Sequence, residues 1–254
     1  IRIEIRNNKG EIMKKLLITF GALTFLAAPA FSLSFSESDT IYVETNVNLN
    51  NYWEKTNKAY KKVMMVSQNI MTANKINKRT PVMIKSSPNN PNAATNGYTR
   101  QITIYSGLLP YIDNDDELAF VIAHEIAHDL DFHGGYLKYI AMNANSKKYE
   151  LKADTKAIDL MIKAGYNPIA AITMGNKIYA EPIFDWGFTY THPKGSKRLL
   201  AIYKHILVKY PQYLNSSMTQ NPYYKNFEYS LEKEIKGIQQ DYNKRKQKQE
   251  SVTL

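Results

Sequence analysis

His124-Glu125-Ile126-Ala127-His128 places two imidazoles and a carboxylate within five consecutive residues. On a helix, residues four apart differ by about 40° in direction and one turn in height, so both histidines leave the same face and can share one metal ion. Zinc suits such a pair, and it needs a third protein ligand if one position is to stay open for water. A third histidine six residues after the second, with glycine between, would require Gly and His at positions 131 and 134. The chain has Asp131 and Gly134 there, which excludes that subclass.

Glu150-Leu151-Lys152-Ala153-Asp154 supplies two carboxylates four apart instead. One could ligate the metal while the other accepts a hydrogen bond from the far nitrogen of a ligand histidine and fixes its tautomer. Residues 113–154 hold nine acids against four bases, a local negative excess in an otherwise basic chain that suits a cation. The chemistry these types can perform is hydrolysis. Zinc lowers the pKa of water to about 7, and Glu125 takes the proton as hydroxide attacks a polarised carbonyl, then passes it to the departing amine. The negative oxygen formed needs a further donor. His192, in the loop sequence Thr191-His192-Pro193, is the candidate. Arg198 could pair with a site carboxylate such as Asp154, whereas His205 falls on a helical apolar face beside Ile202 and Ile206 and reads as a core or surface residue.

Several elements must position these groups. Residues 51–74 carry Trp53, Ala59, Tyr60, Val63, Val66 and Ile70 at helical spacing, with lysines off that stripe. Residues 81–85 read as a short strand, 86–99 as a loop rich in Ser, Pro and Asn, and 101–105 as a strand of alternating polarity. Asn114 followed by Glu117, with acids in the first turn, starts a helix over 115–132 that Gly134-Gly135 stops. Further helices are predicted over 147–164, 169–179, 196–210 and 224–249. Helices around one small sheet make the fold α+β with helix dominant.

Of the 254 residues, 44 % are hydrophobic and 22 % charged, enough for a packed globular core. Cysteine is absent, which excludes disulfides, thiolate metal sites and cysteine lipidation. Met13-Lys14-Lys15, an apolar stretch over 16–28 and Ala28-Pro29-Ala30 form a secretory leader, with cleavage expected after Ala30. Residues 1–12 read as upstream sequence, 31–48 as a connector, 49–210 as the zinc domain and 211–254 as a charged helical tail. The net charge of +10 includes +3 from residues 1–30, and no helix concentrates the rest, so no nucleic-acid partner is expected.

Taken together, these residues resemble the zinc metallopeptidase family that includes HtpX and the CAAX prenyl proteases, with exported bacterial members such as BepA and LoiP. Asn92-Ala93, Ile102-Thr103-Ile104 leading to Gly107, Asp116-Glu117-Leu118-Ala119, the motif from His124 to His128, Glu150-x-x-Ala153-Asp154, and Thr191-His192-Pro193 with Arg198 carry the resemblance. It implies a zincin-like domain holding one zinc ion per chain. Glu150 is then the third ligand, Asp154 its partner behind the histidine, and His192 either the transition-state donor or a movable fourth ligand. It also implies that an edge strand beside the zinc helix, with Asn92, Ala93, Ile102, Thr103 and Ile104, pairs with substrate backbone.

The expected function is an exported, periplasmic zinc endopeptidase (secreted where the cell has a single membrane) acting on extended or misfolded envelope proteins. Its partners are polypeptide substrates, with a peripheral membrane contact through the basic tail. The alternative is a secreted, non-catalytic metal-containing module binding anionic surfaces, for which a base at Glu125 has no use.

Overall fold

The computed structural model describes residues 2–6, 12–17, 40–44, 49–131, 146–179 and 194–252. The chain divides into two compact units, Ile1–Lys58 and Ala59–Leu254. In the first, strands β1 (Arg2–Arg6), β2 (Ile12–Leu17) and β3 (Thr40–Glu44) form an antiparallel sheet in the order β2-β1-β3. β3 falls in the stretch expected to be a plain connector, because Thr40 to Glu44 is β-branched and aromatic enough to pair with β1. Residues 18–39, which hold most of the expected leader and the Ala30 position, lie outside the described residues.

Helix α1 (Leu49–Ala73) leads into the second unit. Val63, Val66 and Ile70 are buried at spacings of three and four, and Lys58, Lys61 and Lys62 stay exposed, as the apolar stripe dictates. A three-stranded sheet follows, formed by β4 (Val82–Lys85), β5 (Ala93–Thr95) and β6 (Ile102–Tyr105). β6 lies in the middle, parallel to β4 and antiparallel to β5, and its Ile102 and Ile104 are fully buried.

The helical body comprises α2 (Asp115–Asp131), α3 (Ser146–Lys163), α4 (Ala170–Ile178), α5 (Gly195–Lys209), α6 (Pro222–Ser230) and α7 (Glu232–Val252). The fold is α+β and predominantly helical, as expected. α2 begins as its sequence requires: Asn114 Oδ1 accepts from the Glu117 amide at 2.9 Å, and Glu117 Oε2 accepts from the Asp113 amide at 2.8 Å. Glu117 is fully buried but satisfied, since Lys177 Nζ and the Thr173 hydroxyl of α4 both donate to it. Leu118 to Ala123, Ile126 and Ala127 are all buried, making α2 the central helix of this unit. α3 packs along it, and its own buried alanines, Ala153 and Ala157, keep the helix slim enough for close approach. Gly165, at φ +83°, ends α3 in the left-handed conformation. Among the described residues no helix is long and apolar enough to cross a membrane. The expected tail helix is divided at Leu231, whose φ of −122° leaves helical geometry.

Candidate metal centre

Because α2 carries His124 and His128 one turn apart, their rings meet edge to face with centroids 4.7 Å apart and Nε2 atoms at 3.1 Å. α3 brings Glu150 against both: Oε1 lies 3.2 Å from His128 Nε2, and Oε2 lies 3.5 Å from His124 Nε2. The spacing of two carboxylates four residues apart then places Asp154 one turn further on, with Oδ1 3.0 Å from the other nitrogen of His124, Nδ1. The two carboxylates that the sequence leaves open are thus distinguished by which nitrogen of the His124 ring each approaches.

The donor set fits zinc. Three ligand atoms placed 2.0–2.1 Å from a tetrahedral ion lie about 3.3 Å from one another. The two Nε2 atoms lie 3.1 Å apart, each has a Glu150 oxygen at 3.2 or 3.5 Å, and one ligand atom from each of the three residues falls within 4.8 Å of the other two. Burial opposes charge on His124, but the acceptor oxygens of Asp154 and Glu150 beside its ring nitrogens outweigh it and raise its pKa to about 10. The same negative surroundings that favour a proton favour a cation.

Arg198, from α5, secures the two carboxylates. Its Nε and Nη2 donate in parallel to Asp154 at 2.8 and 2.7 Å, and its Nη1 lies 3.1 Å from Glu150 Oε2. This is the planar, forked recognition that guanidinium allows and ammonium does not. Burial alone would raise the Asp154 pKa; the hydrogen bond from Arg198, then that from His124, reverse this and hold it below the ordinary carboxylate value. The expectation for Arg198 is met in its specific form, pairing with Asp154.

Two residues absent from the sequence reading complete the surroundings. Tyr179, just after α4, donates from its hydroxyl to Asp154 Oδ1 at 3.0 Å and accepts from Arg198 Nη2 at 3.0 Å. Its ring lies 3.8 Å from the guanidinium carbon, a stacked cation–π contact. Gly175 makes room for it: a Cβ there would come within 2.8 Å of the Tyr179 ring and 2.9 Å of Leu199. Thr95, in β5, donates to Glu125 Oε2 at 2.7 Å, and its hydroxyl also lies 3.0 Å from the Glu125 carbonyl oxygen. Glu125 itself stands outside the ligand group, next to His124 in sequence and nearly buried.

The substrate-strand expectation requires correction. Ile102, Thr103 and Ile104 belong to the central strand, whose backbone is paired on both sides, so they cannot accept a peptide as an added strand. The edge beside α2 is β5 instead, containing Ala93, with Asn92 just before it accepting from the Tyr105 amide at 3.0 Å. His192 lies outside the described residues. His205 is away from this group, with Nε2 2.7 Å from Asp159 Oδ1.

Compared with protein families, residues 57–139 and 129–206 match Peptidase family M48, a region covering more than half of the chain. The chain belongs to this family and is a metallopeptidase by that membership. No curated protein sequence matches it.

Proposed function

We propose that the chain is an exported, zinc-dependent endopeptidase that cleaves extended or misfolded polypeptides of the cell envelope. The observation that carries the catalytic part is the placement of Glu125: a carboxylate beside the ligand histidines, excluded from the ligand group, and oriented by Thr95 from the sheet edge. A module that only binds surfaces has no use for such a base.

His124, His128 and Glu150 would hold one zinc ion per chain, which when bound supplies a Lewis acid that acidifies water and polarises a carbonyl. Asp154 and Arg198 keep the His124 ring and the Glu150 carboxylate in place. With Oε2 of Glu125 engaged by Thr95, Oε1 is the oxygen that takes a proton from the attacking water. The water oxygen adds to the carbonyl carbon, the C–N bond breaks, and Glu125 returns the proton to the leaving amine. His192 is the proposed donor to the negative oxygen. Extended backbone laid on the outer edge of β5 would bring a peptide beside Glu125 with little demand on its side chains. The leader-like sequence before Phe31 supports export, and the exposed lysines and arginine of α7 support a peripheral contact with an anionic membrane.

Casein digestion by the purified protein, with and without chelator, tests this proposal together with Glu125→Gln. Chelation should abolish cleavage and added zinc should restore it. The variant should keep its zinc and lose activity by about a hundredfold or more. Full activity in a zinc-loaded variant would overturn the mechanism.

A further inference from the structure

A second concave site lies apart from the metal ligands, where the end of α1 meets the start of β4. It is a groove of about 610 Å³, within the roughly 300–1,000 Å³ typical of ligand sites. Met64, Met71, Ile76 and Val82 supply its apolar lining, and Lys75, Lys78 and Arg79 its charge. Among the described residues no acidic side chain lines it. All three cations are exposed, and among the described residues none of them forms an ion pair. They differ in this from Lys62, Lys152, Lys177, Arg100 and Arg198 of the same unit, which are matched to carboxylates.

Two details set this groove apart from ordinary basic surface. Lys75 sits at φ +53°, a conformation at a helix end that glycine or asparagine adopts more cheaply. A cation there complements the α1 carboxyl terminus, but that accounts for Lys75 alone and not for Lys78 and Arg79. Met64, 40 % exposed, and Met71 give the floor unbranched, polarizable side chains that adapt to differing apolar partners. The groove is also anchored to the catalytic helix. Thr80, in its wall, donates to Asp129 Oδ2 at 3.0 Å, and the fully buried Asp129, which follows His128, is paired with Arg100.

We propose that this groove is a secondary binding site for a polypeptide segment in which apolar side chains adjoin carboxylates, holding part of a substrate chain away from the bond to be cut. It rests on the peptidase reading only for its role in cleavage; binding itself does not depend on it. The apolar side chains occupy the methionine-lined floor, and the carboxylates meet Lys75, Lys78 and Arg79.

The test uses the full chain carrying Glu125→Gln and a fluorescent peptide alternating leucine with aspartate, followed by anisotropy at low and high salt. Lys75→Glu/Lys78→Glu/Arg79→Glu, all at exposed positions, should weaken binding by about tenfold or more and remove most of its salt dependence. The reversed protein should gain affinity for the matching leucine–lysine peptide, which also shows that it has folded. In the background with Glu125 intact, the reversal should raise KM for a long acidic substrate while leaving cleavage of a short uncharged peptide unchanged. Equal binding of the acidic peptide to both proteins overturns the proposal. So does stronger competition by a fatty acid or anionic vesicles than by the peptide, which would assign the groove to lipid. If cleavage is absent in every arm while the charge swap still switches binding, the peptidase reading fails and the groove stands.

Discussion

The Thr95 hydroxyl donates to the Glu125 carboxylate at 2.7 Å, tying the edge of the sheet to the central helix between its two histidines. The same strand that would receive a peptide thus also orients the proposed base. Thr95→Val keeps the shape and removes the donor. Zinc content and folding should be unchanged, and kcat on a short peptide should fall by about tenfold, the value of one charge-assisted hydrogen bond. Thr95→Ser should recover most of it. Steady-state kinetics of the zinc-loaded variants checks this, and an unchanged kcat for the valine variant would refute it.

Arg198 touches both Glu150 and Asp154 of α3, so its effect should appear in metal affinity rather than only in stability. Arg198→Lys retains the charge but cannot make two parallel hydrogen bonds to Asp154 while also reaching Glu150. Zinc affinity, measured by competition with a chelator of known affinity, should drop by about 10–100-fold. Equal affinity would show that Glu150 and Asp154 are held by the helix alone.

Gly175→Ala sets two effects against each other. Helix propensity favours alanine by about 0.8–1 kcal/mol. Overpacking costs about 1–3 kcal/mol, and here the added carbon meets the Tyr179 ring, which Arg198 and Asp154 prevent from moving freely. The overlap should prevail, with a net destabilisation of about 1 kcal/mol in denaturant unfolding and weakened zinc binding as Tyr179 shifts. A stabilised variant would mean that the ring yields at no cost.

Asp159 provides a pH test remote from the metal. Burial would raise its pKa, but hydrogen bonds from His205 and Tyr210, with Lys209 beside them, lower it from 3.8. A lowered folded value means that the stabilisation is complete above 3.8 and disappears as pH falls through the folded pKa. Asp159→Asn should therefore lower Tm at neutral pH, with the gap to the unaltered protein narrowing below about pH 4. A gap that is constant down to pH 2 would assign the loss to packing.

What the sequence revealed was governed by local rules. The Asn114–Glu117 cap, the helical pairs His124/His128 and Glu150/Asp154, and the apolar stripe of α1 all follow from spacing within a few residues, and each appears in the structure. β5 was missed because three residues, Ala93 to Thr95, are too few to show alternation, and they sit among Ser, Pro and Asn that signal a loop. Alternation at Ile102 and Ile104 signals the burial that the structure shows, but it does not encode how many strands flank a strand, so it does not tell a central strand from an edge. Tyr179 had no local signal because its role comes from Arg198 and Asp154, distant in the chain. The break at Leu231 likewise lacks glycine or proline to mark it.

β5 is only three residues long, about 10 Å of strand. On the proposed mode, a chain laid along it would be gripped over little more than a tripeptide, by backbone hydrogen bonds that every sequence offers. Such a short, indifferent handhold would let cleaved ends slip away quickly. Persistence on one polymer through successive cuts would then have to come from contacts made elsewhere on the molecule.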